Sequence, residues 1–244
     1  MTYRATVLTA VMDSYDSLKP VYPQDGADVN WVCFTDSMQL LNESELVVGR
    51  DKGGQYESGM YHPTGWEIRH YDRPVDVHPN RAAKRPKVNP AAYTTAPASV
   101  WLDASFRVVS PRFVADTVAT AEAGLGIAQF GHPWRDSLYA EAEASIELPK
   151  YLSEILTLRQ QVEGYRNAGM PDHWGLWATG LIARVHRPEV LRWGRIWGAE
   201  IARNSFQDQV SHPYALWKCN LRPENLPGTH FANDHVVYEG SGRH

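Results

Sequence analysis

Residues 99–105 read Ser99-Val100-Trp101-Leu102-Asp103-Ala104-Ser105, a short apolar run that stops on an acid. Upstream, Val29–Phe34 follows the same plan and stops at Thr35-Asp36. Arg4–Met12 is apolar and rich in β-branched residues until the polar segment Asp13–Asp16 ends it. Such runs read as buried strands. Trp66–His70, Gly126–Phe130 and Gly180–Val185 are further strand candidates.

The stretches between the strands carry helical signals. Arg81–Asn89 predicts a helix shortened or bent by Pro86. Pro111–Glu122 opens on a proline suited to a first turn and places Phe113, Val114, Val118 and Ala121 at helical spacing. Trp134–Glu147, Lys150–Ala168, Pro188–Arg203 and Gln207–Lys218 are also read as helices, the last interrupted at Pro213. Within 150–168, Leu152, Ile155, Leu156 and Val162 are expected to share a buried face. Residues 43–65 show no period and read as a long loop or lid. Strands alternating with helices predict an α/β fold: a mixed, mostly parallel sheet flanked by helices, in a single domain over 1–225 with a tail over 226–244.

Composition narrows the chemistry. A net charge of -4 and a pI near 6.2 give no support for stable binding to nucleic acid. Two cysteines, Cys33 and Cys219, make no disulfide framework and fit a reducing, cytoplasmic compartment. No run approaches ~18 apolar residues, so no membrane span is expected. A Walker loop, GxGxxG, paired CxxC, HExxH and GxSxG are all missing from the sequence. What remains is a pair of acids, Asp36 and Asp103, at strand ends, where open α/β sheets collect ligands. Taken alone, an Asp in such a place is more often a turn or cap residue.

The motifs Phe34-Thr35-Asp36, Arg81-Ala82-Ala83-Lys84-Arg85-Pro86-Lys87, Trp101-Leu102-Asp103, His132-Pro133-Trp134-Arg135, Tyr139-Ala140-Glu141 and Asp208-Gln209-Val210-Ser211 occur in one order along the chain. In that order the sequence resembles the TOD1/MUCI70 glycosyltransferase-like family. This is a GT-A-fold group related to retaining transferases of the glycogenin and galactosyltransferase type.

The resemblance implies transfer of a sugar from a nucleotide-sugar, UDP-linked by expectation, to an acceptor hydroxyl. It further implies retention and help from a divalent metal, Mn2+ or Mg2+. Thr9 and Ala10 would line the base and ribose, with Asp36 nearby. Asp103 matches the first acid of the metal-holding DxD element, but position 105 is Ser, which supplies no charge. His230 and His235 are the candidates to complete the metal shell. Arg81, Lys84 and Lys87, three apart, would balance diphosphate charge from one helix face; a solvated basic face is the plainer reading. His132 would reach the donor cleft. Asp208 and Gln209 would sit beneath the anomeric carbon and stabilise an oxocarbenium-like state, and Trp177 and Thr179 would meet the acceptor.

The acceptor is left open among a glycan, a small molecule and a modified DNA base. Two other readings stand beside this one: a non-catalytic nucleotide- or carbohydrate-binding module of the same fold, and a metal-dependent hydrolase. Scattered histidines without HxH or HxxxH spacing weaken the last.

Overall fold

Val7 and Leu8 are both fully buried although successive strand residues point to opposite faces. Their strand, β1 (Tyr3–Val11), therefore needs cover on both sides. The computed structural model describes residues 3–52 and 55–240 and supplies that cover. In chain order the next elements are β2 (Ala27–Thr35), α1 (Met38–Asn42), β3 (Glu45–Lys52), β4 (Gln55–Tyr61), β5 (Glu67–His70) and α2 (Pro79–Val88). They are followed by β6 (Ala98–Leu102), β7 (Phe106–Val108), α3 (Phe113–Ala123), β8 (Ile127–Gly131) and α4 (Leu138–Ile146). The chain continues through α5 (Ile155–Asn167), β9 (Trp177–Val185), α6 (Pro188–Arg203), α7 (Asp208–Cys219), β10 (Glu224–Asn225) and β11 (Val236–Tyr238).

Nine strands form one sheet in the order β10-β8-β9-β6-β1-β2-β5-β4-β3. The centre, β6-β1-β2-β5, is parallel, while β9 runs antiparallel between β6 and β8. This is the mixed, helix-flanked α/β sheet expected. On one face, Val7, Val11, Val100 and Leu102 pack with Phe113, Val114 and Val118 of α3. On the other, Leu8, Trp101 and Ile182 pack with α2, α6 and α7. There Trp193 and Trp197 stack at 5.3 Å, and both meet the wholly buried His212 in T-shaped contacts. A third cluster joins α4 and α5 to α7 through Leu138, Leu158, Val162 and Val210.

Helix α2 lies unusually close to α6. A Cβ on Gly194 would sit 2.2 Å from the Val88 carbonyl oxygen, so the contact is made backbone to backbone and only glycine fits.

Several expectations are corrected. Residues 43–65 contain the β3–β4 hairpin, which forms the sheet edge where strand pairing replaces the missing apolar period; residues 53 and 54 fall outside the described set. The helix expected from Trp134 starts at Leu138, because Ser137 Oγ accepts from the Tyr139 and Ala140 N–H groups and caps it there. The segment from Pro149 to Glu154 is a 3-10 helix, so α5 begins later and turns a different face inward. Leu158, Gln161, Val162 and Tyr165 are buried while Leu152 and Leu156 are exposed. Strand β9 begins at Trp177, ahead of Gly180. The tail expected over 226–244 contains β11, antiparallel to β7, and follows directly on β10 at the sheet edge; residues 241–244 lie outside the described set.

Candidate functional site

Parallel β1 and β6 end side by side, and a cleft opens beyond their carboxyl ends. Ala10, Val11 and Met12 form its floor with Trp101 and Asp103, while Tyr15 and Asp16 rise from the loop after β1. Lys84 of α2 and Lys150 and Tyr151 of the 3-10 helix close the sides, and Ser105 stands at the mouth.

The two acids that the motifs singled out meet here through one lysine. Lys87 Nζ lies 2.6 Å from Asp208 Oδ2 and 3.4 Å from Asp103 Oδ1. Lys84 Nζ lies 3.1 Å from Asp208 Oδ1. Pro86 does not end α2, so Lys84 and Lys87 stay one turn apart on the face that looks at the sheet ends. Asp208 opens α7, where the positive end of the helix dipole also favours its charge.

The electrostatics follow the burial. Burial opposes ionisation of Asp208, but Lys84 and Lys87 hold its carboxyl well below the usual range. Burial likewise opposes the Lys84 charge, yet Asp208 and Asp103 raise its pKa above the ordinary lysine value. For Lys87 burial prevails, with Lys84 adding to it, and the pKa falls. Lys150 is lowered by burial and then by Lys84. Among the described residues it has no carboxylate partner; its ammonium rests over the Tyr151 ring at 5.1 Å.

Asp103 is the open acid. Its Oδ1 accepts from Trp101 Nε1 at 2.6 Å and faces Lys87, while its side chain is 38% exposed. Gly180 of β9 admits this arrangement, since a Cβ there would come within 2.8 Å of the Phe106 ring and 3.3 Å of Asp103 Oδ2. The C-terminal segment brings His230 to the same mouth. Burial lowers its pKa against the pull of Asp103, and its Nδ1 is buried without a partner among the described residues. An unengaged carboxylate oxygen, the Ser105 hydroxyl and an imidazole nitrogen are donors suited to a divalent cation whose other ligands come from a phosphate and water. No group of three or more His, Cys, Asp or Glu side chains gathers among the described residues.

The other expected residues are placed as follows. Ala10 lines the cleft, whereas Thr9 is buried beside it. Asp36 accepts from the Asp13 N–H at 2.7 Å and pairs with Arg73 at 2.5 Å, which fixes the loop after β1. Arg81 spends its guanidinium on the carbonyls of Ile201 and Asn204, tying α2 to the end of α6. His132 is held by the Arg135 N–H on Nδ1 and lies 3.5 Å from Glu141. Burial, with Arg135 and His230 adding to it, lowers its pKa to about 4.

Asp208 lies behind the lysines, with both oxygens in ion pairs. Gln209 accepts from the Thr179 N–H at 3.1 Å and donates to the Trp177 carbonyl, so it pins the start of β9. Trp177 is 6% exposed, its Nε1 donating to Asn225, and therefore offers no open ring face; Thr179 is buried beside Gln209. His235 sits away from Asp103, tilted against Phe113 in the β7–β11 layer. Lys150 and Tyr151 are cleft residues that the motifs did not single out. Lys150 carries a signal, a lone cation after Leu148-Pro149, but the helix expected over 150–168 assigns it no role at a site.

No helix among the described residues is long and apolar enough to cross a membrane. No curated protein matches the chain. Among solved structures, the apo crystal structure of mouse xyloside xylosyltransferase 1 superposes with a TM-score of 0.45 at 9% identity, covering 93% of this chain and 85% of that one. Residues 2–234 match the family described as TOD1/MUCI70, glycosyltransferase-like domain, and the chain belongs to that family.

Proposed function

We propose that the chain transfers a sugar from a nucleotide-sugar, with UDP as the expected nucleotide, to an acceptor hydroxyl. The observation that carries this reading is the convergence of Asp103, Lys84 and Lys150 on one cleft at the carboxyl ends of β1 and β6, in a chain of a glycosyltransferase-like family. Lys84 and Lys150, with Lys87 behind, face Asp103 and Asp208 there, and the third carboxylate of the cleft, Asp16, is matched by Lys19 at 3.6 Å, which leaves one positive charge over for an anionic ligand. A diphosphate seated between Lys84 and Lys150 meets fixed positive charge in a partly dry site, which favours its departure as a leaving group.

Asp103, Ser105 and His230 would hold a divalent cation, Mn2+ or Mg2+, against the same diphosphate. Such a cation supplies Lewis-acid neutralisation of the leaving oxygen. Asp208 acts as a positioning residue: its carboxylate keeps Lys84 charged at the cleft and favours the charge of Lys87 behind it. Retention is the stereochemistry that the family resemblance favours, and the anomeric configuration of the product reports on it directly.

Titration with UDP tests the donor side. Lys150→Ala removes an ammonium that has no carboxylate partner, so folding is preserved while UDP binds about tenfold more weakly, a loss of about 1.4 kcal/mol. Asp103→Asn abolishes any stimulation by Mn2+ and most transfer. Full transfer activity in both variants sinks the assignment. Binding of UDP with no turnover across a wide donor panel points instead to a binding module.

A further inference from the structure

Beside the cleft stands a shelf of aromatic rings that the donor chemistry does not use. Trp134 is 66% exposed and Phe231 49% exposed, although large apolar side chains are normally turned inward. They come from separate segments, the loop after β8 and the turn closed by Thr229 and Ala232, yet their rings lie 5.4 Å apart at an interplanar angle of 36°. Phe231 also packs against His230 at 3.9 Å and Tyr238 at 5.5 Å. His230 and Tyr238 in turn rest on Phe106, whose ring borders the space at Gly180 that Asp103 Oδ2 also borders. The shelf therefore leads from the neighbourhood of the open acid to the surface.

We propose that Trp134 and Phe231 form a subsite that stacks on the ring of a neutral carbohydrate, which is the acceptor if the chain is a sugar transferase. Exposed indole and phenyl faces match the apolar C–H faces of a pyranose. The surrounding charge argues against a phosphorylated occupant. Arg135 is taken by Glu141 at 2.6 Å, and Arg107 by Glu239 at 2.8 Å. With both arginines paired, no free cation among the described residues is shown beside the rings to hold a phosphate backbone, which a nucleic-acid acceptor needs.

The test is binding of the purified full chain to an array of neutral glycans and to a 12-nucleotide single-stranded DNA, with UDP titrated in parallel. The subsite predicts that at least one neutral glycan binds, and that Trp134→Ala and Phe231→Ala each weaken it at least ~10-fold. Trp134→Phe, which keeps a ring, restores most of the affinity. Both residues are exposed, so loss of fold is not the expected cause, and circular dichroism of each variant checks this. Glycan binding sensitive to these variants but without UDP binding upholds the shelf and removes the transferase reading. UDP binding with no glycan bound, with glycan binding indifferent to both variants, or with DNA bound in preference, overturns the shelf and leaves that reading standing.

Discussion

Lys87 is the side chain on which the two acids converge, and replacing it by Met is the sharpest perturbation of the site. Methionine nearly fills the same volume, so the change removes charge and little packing. At 2.6 Å and an effective dielectric near 20, the attraction to Asp208 is about 6 kcal/mol; the 3.4 Å approach to Asp103 adds about 5. Burying an ammonium that is 1% exposed offsets much of this, as does repulsion from Lys84.

What the variant loses is set by the acid it leaves behind. Removing one partner of a buried pair costs about 3–5 kcal/mol, and because Lys84 still holds Asp208 at 3.1 Å the lower end, about 3, is expected. That is a large share of the ~5–15 kcal/mol typical of a domain. Urea unfolding at pH 7 measures it. Adding Asp208→Asn to Lys87→Met should cost much less than the sum of the two single changes, because each removes the same interaction. A loss below about 1 kcal/mol for Lys87→Met, or strict additivity in the double variant, refutes the buried pairing and with it the positioning role of Asp208.

Two further outcomes follow from other contacts. Gly194→Ala drives a methyl into the Val88 carbonyl, displaces α2 together with Lys84 and Lys87, and destabilises the fold by about 1–3 kcal/mol, as urea midpoints will show; UDP affinity falls with it. His212 is wholly buried, and burial lowers its pKa to about 3 from the ordinary 6.5. The unfolded chain therefore takes up a proton below pH 6.5 that the folded chain refuses, so this contribution to stability is complete above pH 6.5 and shrinks as the pH falls toward 3. His212→Leu should remove about 2 kcal/mol of the stability lost between pH 7 and pH 5. Equal losses in both proteins would contradict a neutral, buried imidazole.

Much of this architecture is readable from local pattern, because a parallel core strand has no exposed face to disguise it. Arg4–Met12 (but for its last residue), Val29–Phe34 and Ser99–Leu102 all lie in strands of the central sheet. The β3–β4 hairpin escaped because its strands are polar and glycine-dotted, and long-range pairing rather than side-chain period holds them at the edge. The exposed Leu152 and Leu156 misled because a 3-10 turn shifts the phase of everything after it. At the site, motif order singled out Asp103, Lys84, Lys87 and Asp208, which the structure brings together. The place of Lys150 and the exposure of Trp134 stayed hidden, since neither lies in the α-helix expected for it: Lys150 is in a 3-10 turn and Trp134 in the loop before α4. Arg81 shares the spacing of the two lysines, yet a turn nearer the start of α2 its side chain meets the end of α6 instead.

The pairing of β7 with β11 has a consequence for how the molecule comes into being. Arg107 and Glu239, joined across that small ribbon, are 132 positions apart, whereas β1, β2 and β6 are all present before residue 103 has left the ribosome. Chains emerge in order and their early parts begin to organise first. The sheet and its lysines can therefore assemble well before His230 and Phe231 exist. The proposed aromatic shelf is completed last, on a scaffold already standing, and a nascent chain stalled short of Thr229 would hold the floor of the cleft without its outer wall.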